Sequence, residues 1–355
     1  MKIKIVLVFS LLVLLSASCN PFQSTLPSGV VKSTNGGVDW QFTNAVKGST
    51  TASIGGLSIS KLAFEPNNNK ILIASTYNDG MFKSEDSGAS WTRLLSKIMV
   101  YDFVINPFDA KIIYAAGFCV NHGCVVKTTD GGGSWNEVYK EGSTTNPNPV
   151  RGVGINPKNP NQLVIGTLSG SVIKSADAGN TWQLVNNFAD QVNRVLWQEN
   201  NVYVLLKGKG LYSGSGFVEN LSDITTSLSK TYSIGNLSYT QETIDNFSQV
   251  FVDSTSVLLI YVTTNKGVYK TVDGGKTWEL KKLPIKPSDS ATRAIAISKA
   301  SSNIVFTSVA STIYKSLDGG TSWQTQNINS GGFVNYILID PILPQVIYSG
   351  IYLNE

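Results

Sequence analysis

Short apolar runs separated by polar turn residues recur along the chain from about residue 29 onward. The runs are rich in β-branched and aromatic residues, and Asn, Pro, Asp and Gly interrupt them, as in the stretch from Lys61 to Leu95. This pattern is typical of β-strands joined by tight turns and not of amphipathic helices. About four such runs make one unit, so the pattern predicts an all-β protein.

A box of fixed pattern lies late in each unit. It reads Ser/Thr, x, Asp/Asn, x, Gly, x, x, Trp, and its six copies end at Trp40, Trp91, Trp135, Trp182, Trp278 and Trp323. A seventh, eroded copy starts at Ser213, with Ser215 at the acid position and Asn220 at the Trp position. The starts lie 38 to 58 residues apart, a period typical of four-stranded propeller blades. The repeat predicts a single seven-bladed β-propeller over residues 29–355.

The two ends of the chain complement each other. The first box, at Ser33, has no earlier strands in its unit, whereas the last unit, from Asn335 to Tyr352, has two strands and no box. We expect the termini to share one blade, since this closes the ring and leaves no open sheet edge. The other blades are predicted at 58–95, 101–139, 151–186, 192–222, 247–282 and 292–327. The segment from Phe217 to Gln249 is longer than the other connections and is either a contact surface or a neutral insertion.

The box acids are expected to be structural. An Asp at the tip of a hairpin accepts backbone N–H bonds, Gly allows positive φ, and Trp covers the seam to adjacent structure. Repetition at separate blades also argues against catalysis or metal binding. The acid positions are Asn35, Asp86, Asp130, Asp177, Asp273 and Asp318.

The first residues have the layout of an export signal. Lys2 and Lys4 precede an apolar stretch that is too short to span a membrane, and the small residues at 16–18 precede Cys19. This segment resembles a bacterial lipobox, which implies a signal peptide at 1–18, lipidation of Cys19 and a tether at 19–28. The chain is then expected at the outer face of a bacterial membrane, held by acyl chains alone. An ordinary signal peptide that contains a Cys is the alternative.

The charge and cysteine content limit the kinds of partner and metal site to be expected. The chain has 28 Lys and Arg against 24 Asp and Glu, and removal of Lys2 and Lys4 with the leader leaves a net charge of +2. No Lys/Arg run with interleaved aromatics indicates a nucleic-acid partner. Cys119 and Cys124 are predicted to form a disulfide across a hairpin. A zinc site that adds His122, the only histidine, is the weaker alternative, and no metal or cofactor is expected.

The boxes resemble the Asp-box, or bacterial neuraminidase repeat, over nearly all of the chain after the leader. The dense forms at Asp130–Trp135, Asp273–Trp278 and Asp318–Trp323 are most similar to sortilin-type receptors, xyloglucan-degrading glycoside hydrolases and photosystem II stability/assembly-factor propellers. This resemblance implies a propeller and leaves the activity open. A sialidase is disfavoured, since that family needs three substrate-binding arginines and has an Arg-Ile-Pro segment near its start. This chain lacks that segment and has only four arginines in all: Arg93, Arg151, Arg194 and Arg293.

The xyloglucanase resemblance implies a pair of catalytic Asp carboxylates. The relevant first-blade pattern has a partial counterpart at 76–83, where Tyr77 replaces the expected Asp and Asp79 is displaced by two. Asp79 and Asp102 are therefore the candidate pair for a hydrolase. The competing interpretation is a turn role for Asp79, before Gly80, and a structural role for Asp102 within a strand.

Three of the four arginines fall near one repeat position of the predicted first strands. Arg151 and Arg293 share a register, and Arg194 lies close to it, with Tyr101 and Asn335 at the corresponding place elsewhere. Arginine binds carboxylate or phosphate through two parallel bonds, so these residues predict an anion-binding face near the axis. The alternative is that each arginine caps its strand or pairs with a neighbouring acid.

The sequence thus favours a non-catalytic, lipid-anchored, monomeric propeller. Its expected partner is a protein or peptide that binds through a carboxylate. A glycoside hydrolase acting on extracellular glycans is the alternative.

Overall fold

A computed structural model describes residues 27–142, 147–229, 244, 246–285 and 291–353, and the backbone of 232–234 and 237–239. The predicted signal peptide, Cys19 and most of the tether lie outside the described residues. In the described part no helix is long and apolar enough to cross a membrane. The helical element seen there is one 3-10 turn at Thr226–Ser229.

Seven four-stranded antiparallel sheets form the blades, which confirms the predicted fold. The first strands are β3 (Ile59–Glu65), β7 (Ile98–Ile105), β11 (Val150–Ile155), β15 (Val192–Gln198), β21 (Phe247–Val252), β25 (Thr292–Ser298) and β29 (Phe333–Ile339). The second strands are β4 (Asn68–Thr76), β8 (Ile113–Cys119), β12 (Leu163–Thr167), β16 (Asn201–Leu206), β22 (Ile260–Thr264), β26 (Ser301–Val309) and β30 (Ile347–Tyr352).

The third strands carry the start of each box. They are β5 (Met81–Ser84), β9 (His122–Thr128), β13 (Ser171–Ser175), β17 (Gly210–Ser215), β23 (Gly267–Thr271), β27 (Thr312–Ser316) and β1 (Val30–Ser33). The fourth strands are β6 (Thr92–Leu95), β10 (Asn136–Lys140), β14 (Gln183–Asn187), β18 (Glu219–Asp223), β24 (Glu279–Lys281), β28 (Gln324–Asn327) and β2 (Gln41–Phe42). A separate hairpin, β19 (Tyr232–Ile234) and β20 (Leu237–Tyr239), lies in the insertion.

The first strands surround the axis of the ring. Each packs beside the first strand of the next blade, and β29 packs beside β3 to complete the circle. In each blade the first strand is also the edge of its sheet. One edge of each first strand is not paired in the sheet and is therefore available to face the axis. Fourth strands such as β28 are exposed on the outside of the ring.

Both chain ends contribute to the closing blade. Its strand order is β2, β1, β30, β29, with Val30 opposite Gly350 and Ser33 opposite Ile347. The backbone bonds of β1 occupy the edge of β30 that would otherwise template pairing with another chain. The predicted sharing of one blade by the termini is thus present in the structure.

Apolar clusters lie between neighbouring blades. One of them joins Val31, Phe306, Val334 and Ile347, which come from the last two blades of the ring. Burial of β-branched and aromatic side chains at each seam gives the stability that a single blade could not supply.

The boxes occupy the hairpins between third and fourth strands, and their acids are bound within the turn. Thr128 Oγ1 accepts the Gly132 N–H at 2.9 Å, and Asp130 accepts the Ser134 N–H at 2.9 Å and the Ser134 hydroxyl at 2.7 Å. In each of the other intact boxes the first hydroxyl likewise accepts the glycine N–H, and the side chain at the acid position accepts a backbone N–H four residues later. The side chains at this acid position are Asn35, Asp86, Asp177, Asp273 and Asp318.

These hydrogen bonds hold the carboxylates in their ionised form. The Thr181 hydroxyl lowers the pKa of Asp177 to about 2, and the Thr277 hydroxyl does the same for Asp273. The box Trp side chains complete the seams, since the indole of Trp182 donates to the Val138 carbonyl of the preceding blade at 2.7 Å. The box carboxylates and the Trp182 indole are therefore hydrogen-bonded within the turns and seams.

Candidate functional site

Every first strand contains a β-bulge near its beginning. In β11 the pairing with β12 shifts between Val150 and Gly152, so that Arg151 is the extra residue. A bulge directs an extra side chain out of the regular alternation. The residues at this position around the ring are Ser60, Tyr101, Arg151, Asn193, Ser248, Arg293 and Asn335, and in β25 the irregularity also includes Ala294.

Six of the seven bulge residues line one cavity on the axis, whereas Ser60 is buried and hydrogen-bonded to Ser75 and the Val100 carbonyl. The two compartments of the cavity, of about 150 and 520 Å³, share Tyr77, Tyr101, Arg151, Arg293 and Asn335 as lining residues. The inner compartment is also lined by Asn193, Arg194, Ser248 and Gln249, and the outer one by Ser58, Asn78, Met99 and Tyr352. All five predicted ligand-binding residues therefore lie together, and their role in binding stays a prediction.

Arg194 lies next to the repeat position and not at it. The shift in β15 falls between Val192 and Arg194, which makes Asn193 the bulge residue, and Arg194 pairs opposite Leu205. The repeat position therefore holds two arginines instead of three. Arg194 lies one step further along the strand and reaches the same cavity from there.

Arg151 and Arg293 stack on aromatic rings. The guanidinium carbon of Arg151 lies 4.3 Å from the centroid of the Tyr101 ring, and that of Arg293 lies 4.4 Å from that of Phe333. The Nε of Arg151 is buried without a hydrogen-bond partner. Among the described residues neither guanidinium has an ion-pair or hydrogen-bond partner. Two positive charges with unused donors are thus held at the centre of the ring.

Arg194 lines the inner compartment and belongs to a network of polar contacts there. Its Nε donates to Gln249 Oε1 at 2.9 Å, and its Nη1 lies 3.9 Å from Asp102 Oδ1. The Asp102 side chain is 2% exposed and forms a 2.7 Å ion pair with Lys61 Nζ. Its second oxygen accepts the Val153 N–H at 3.2 Å. Asp102 is therefore a buried, fully engaged structural group.

Tyrosines form one wall of the cavity. The Tyr77 ring contacts those of Tyr101 and Tyr352 edge to face, with centroids 5.6 and 5.2 Å apart. The Nδ2 of Asn335 donates to the Ile59 carbonyl at 3.1 Å and lies 3.4 Å from the Tyr77 hydroxyl. Sequence reasoning noted Tyr77 only as a replacement for Asp. It did not identify Tyr352 as a site residue.

A sequence signal for the missed lining residues exists. Each first strand contains two central residues between apolar or Thr flanks, as in Val192-Asn193-Arg194-Val195 and Phe247-Ser248-Gln249-Val250. This pair interrupts strict alternation, which is what a bulge does to a strand. If the first strands are aligned on this interruption, Asn193 and Ser248 fall at the bulge position that holds Arg151 in β11.

The other candidate groups have partners elsewhere. Arg93 binds both carboxylate oxygens of Asp79, at 2.7 and 2.8 Å. Cys119 and Cys124 form a disulfide with Cα atoms 5.8 Å apart. His122 Nε2 lies 2.8 Å from Glu137 Oε2. Glu137 lies near both sulfurs, but the disulfide leaves no thiolate there for a metal ion.

Comparisons with known proteins give the fold and no family assignment. Neither a scan of family models nor a search of curated proteins finds a match. The GH74 xyloglucanase from Xanthomonas campestris is 15% identical with a TM-score of 0.66, over 84% of this chain and 51% of that chain. The present chain thus spans about half the length of that xyloglucanase.

Two other solved structures share the fold at similar identity. YCF48 bound to D1 peptide is 14% identical with a TM-score of 0.58, over 84% of this chain and 93% of that chain. The extracellular domain of a one component system from B. thetaiotaomicron is 13% identical with a TM-score of 0.58, over 88% and 39% of the two chains. The predicted resemblance to xyloglucanase-type and assembly-factor propellers is confirmed at the level of the fold.

Proposed function

We propose that this chain is a non-catalytic binding propeller that holds a protein or peptide through a carboxylate in the central cavity. The observation that carries the proposal is the pair formed by Arg151 and Arg293. Both guanidinium groups line the cavity, and among the described residues neither has an acidic partner. A guanidinium without an acidic partner is costly to hold inside the protein, so a ligand carboxylate in the cavity would lower the free energy of the complex.

Stacking supports a binding role for these arginines. A guanidinium fixed over an aromatic face keeps its planar edge in one orientation, and a carboxylate accepts two parallel bonds from such an edge. Tyr101 and Phe333 provide these faces. The loss of side-chain entropy on binding is then smaller than for a mobile surface arginine.

A glycoside hydrolase is the second candidate, and the xyloglucanase fold is the observation in its favour. Hydrolysis needs two carboxylates about 5 to 9.5 Å apart across the substrate. Among the described residues no Asp or Glu lines the cavity. The candidate pair is also engaged, Asp79 with Arg93 and Asp102 with Lys61. These contacts favour binding over hydrolysis.

The proposed place of action is the outer face of a bacterial membrane. Lipidation at Cys19, a tether at 19–28 and a propeller at 29–355 would keep a monomer close to that surface. Export of this chain is supported by the similar fold of the B. thetaiotaomicron protein, which is an extracellular domain.

Affinity capture with the full chain as bait tests the function. Detergent-solubilised membranes should yield one stoichiometric partner. The double variant Arg151→Met, Arg293→Met should lower its retention by at least about tenfold, since each charged hydrogen bond contributes about 1.5–3 kcal/mol. Arg93→Met is the matched control, because Arg93 pairs with Asp79 outside the cavity lining.

Two results would contradict the proposal. If the double variant retained the partner as well as the unaltered chain, the partner would bind elsewhere. Retention of a glycan with release of reducing ends would establish the hydrolase instead.

A further inference from the structure

A third compartment, with mostly apolar lining, adjoins the two compartments of the arginine cavity. It has a volume of about 310 Å³, and its lining includes Leu196, Phe251, Ala294 and Leu338. Gln249 and Asn335 line both this compartment and the one that holds the arginines. The two spaces therefore adjoin at the layer of Gln249 and Asn335.

The apolar compartment runs along the axis, away from the arginines. Its lining in β29 extends from Asn335 to Ile339, and its lining in β21 extends from Gln249 to Val252 and on to Ser254. No Asp or Glu among the described residues lines it, and Lys299 is its one charged lining residue there. A ligand would thus meet cationic groups first and an apolar channel beyond them.

The walls of the arginine cavity also offer backbone groups. The first strands that line it, among them β7, β11, β25 and β29, are edge strands of their sheets. Edge strands present N–H and C=O groups that an extended peptide can use, whereas an acyl chain cannot. This difference favours a peptide over a fatty acid as the source of the anion.

We infer that the channel takes the apolar side chain of the last residue of a peptide whose terminal carboxylate contacts Arg151 and Arg293. The inference rests on the proposed function and specifies its ligand. A terminal carboxylate and its own side chain branch from one Cα, so one can meet the arginines while the other enters the adjoining channel. The volume of about 310 Å³ lies at the lower end of ligand-binding pockets, about 300–1,000 Å³.

Peptide pools test the inference on the full, unaltered chain. Fluorescein-labelled pentapeptides, randomised at the first four positions, would end in Leu acid, Ser acid or Leu amide, and fluorescence anisotropy would give apparent affinities. We expect the Leu acid pool to bind at least about tenfold more tightly than the Ser acid pool, because an apolar pocket discriminates by about 10- to 200-fold. The Leu amide pool should bind more weakly than the Leu acid pool.

The outcomes separate this inference from the proposed function. Equal affinity for Leu acid and Ser acid, with both above the amide, would overturn the inference and leave the anion site in place. Acid and amide pools that bind alike, or not at all, would overturn both. Displacement of the Leu acid pool by octanoate at lower concentration than by acetyl-leucine would overturn the peptide assignment in favour of an acyl ligand.

A channel variant gives an independent reading. Leu196→Asn replaces an apolar lining group by a polar one of similar size and should abolish the preference for Leu over Ser while the preference for acid over amide persists. Leu184→Asn is the matched control, since Leu184 is 60% exposed on an outer strand. If Leu196→Asn fails to fold, Leu338→Asn repeats the test. If neither variant folds, the peptide-pool affinities of the unaltered chain still test the inference. Unchanged Leu preference in a folded channel variant would contradict the inference.

Discussion

At the residue scale, the first hydroxyl of each intact box links the acid of the turn to its glycine. Ser175 is 1% exposed, and its Oγ accepts the buried N–H of Gly179 at 2.9 Å while it donates to Asp177 at 2.8 Å. The hydroxyl therefore joins the acid to the glycine of the same turn. A box without it loses both connections.

We predict that Ser175→Ala lowers the free energy of unfolding by about 1–3 kcal/mol, because the Gly179 N–H becomes a buried donor without an acceptor. Urea unfolding followed by tryptophan fluorescence measures the change. Ser171→Ala, in the same strand, is the control, since it removes only a 3.3 Å contact with Asn187 on the surface. Equal stability of the two variants would contradict the role assigned to the hydroxyl.

At the element scale, the bulges of the first strands place the cavity residues, and close strand contacts hold the bulges. Gly117 in β8 lies opposite Val100, directly before the bulge at Tyr101. A Cβ at Gly117 would lie 1.9 Å from the Met99 carbonyl oxygen. Strand β7 can therefore keep its position only beside a residue without a side chain.

Gly117→Ala is expected to lower stability by about 1–3 kcal/mol through overpacking and to displace Tyr101 from beneath Arg151. Thermal unfolding and the partner-capture measurement should both show a loss. Gly56→Ala, where a Cβ meets nothing within 4 Å, should leave both unchanged. If Gly117→Ala left the stability unaltered, β7 would be able to shift away from β8 without a loss in the free energy of unfolding, which contradicts the prediction.

At the scale of the whole molecule, closure of the ring depends on a short segment at the start of the described chain. Four residues of β1 pair with β30, from Val30 opposite Gly350 to Ser33 opposite Ile347. The same segment contributes Val30 and Val31 to two separate interblade clusters. It therefore joins the first and last parts of the ring.

Deletion of residues 30–42 should leave β30 as an exposed apolar edge and produce oligomers or aggregates, because unpaired edges template pairing between chains. Size-exclusion chromatography with light scattering would measure this against a control chain that begins at residue 27. A monomer of unchanged melting temperature would show that the ring closes without β1 and β2.

The sequence by itself determined the propeller, the number of blades and the shared closing blade. These features follow from local repetition, since each box sets one turn through contacts within eight residues. The sequence also placed Arg151, Arg293, Tyr101 and Asn335 near the axis, because a fixed repeat position maps to a fixed place in the ring.

Only the tertiary structure decided which side chains share the cavity. A shift of one residue exchanges the faces of a strand, and the bulge in β15 falls at Asn193, one residue before Arg194. The structure also pairs Arg194 with Gln249, brings Tyr77 against Tyr352, and leaves the Nε of Arg151 buried without a partner. These contacts join residues from different blades, far apart along the chain, so they depend on how the strands converge on the axis.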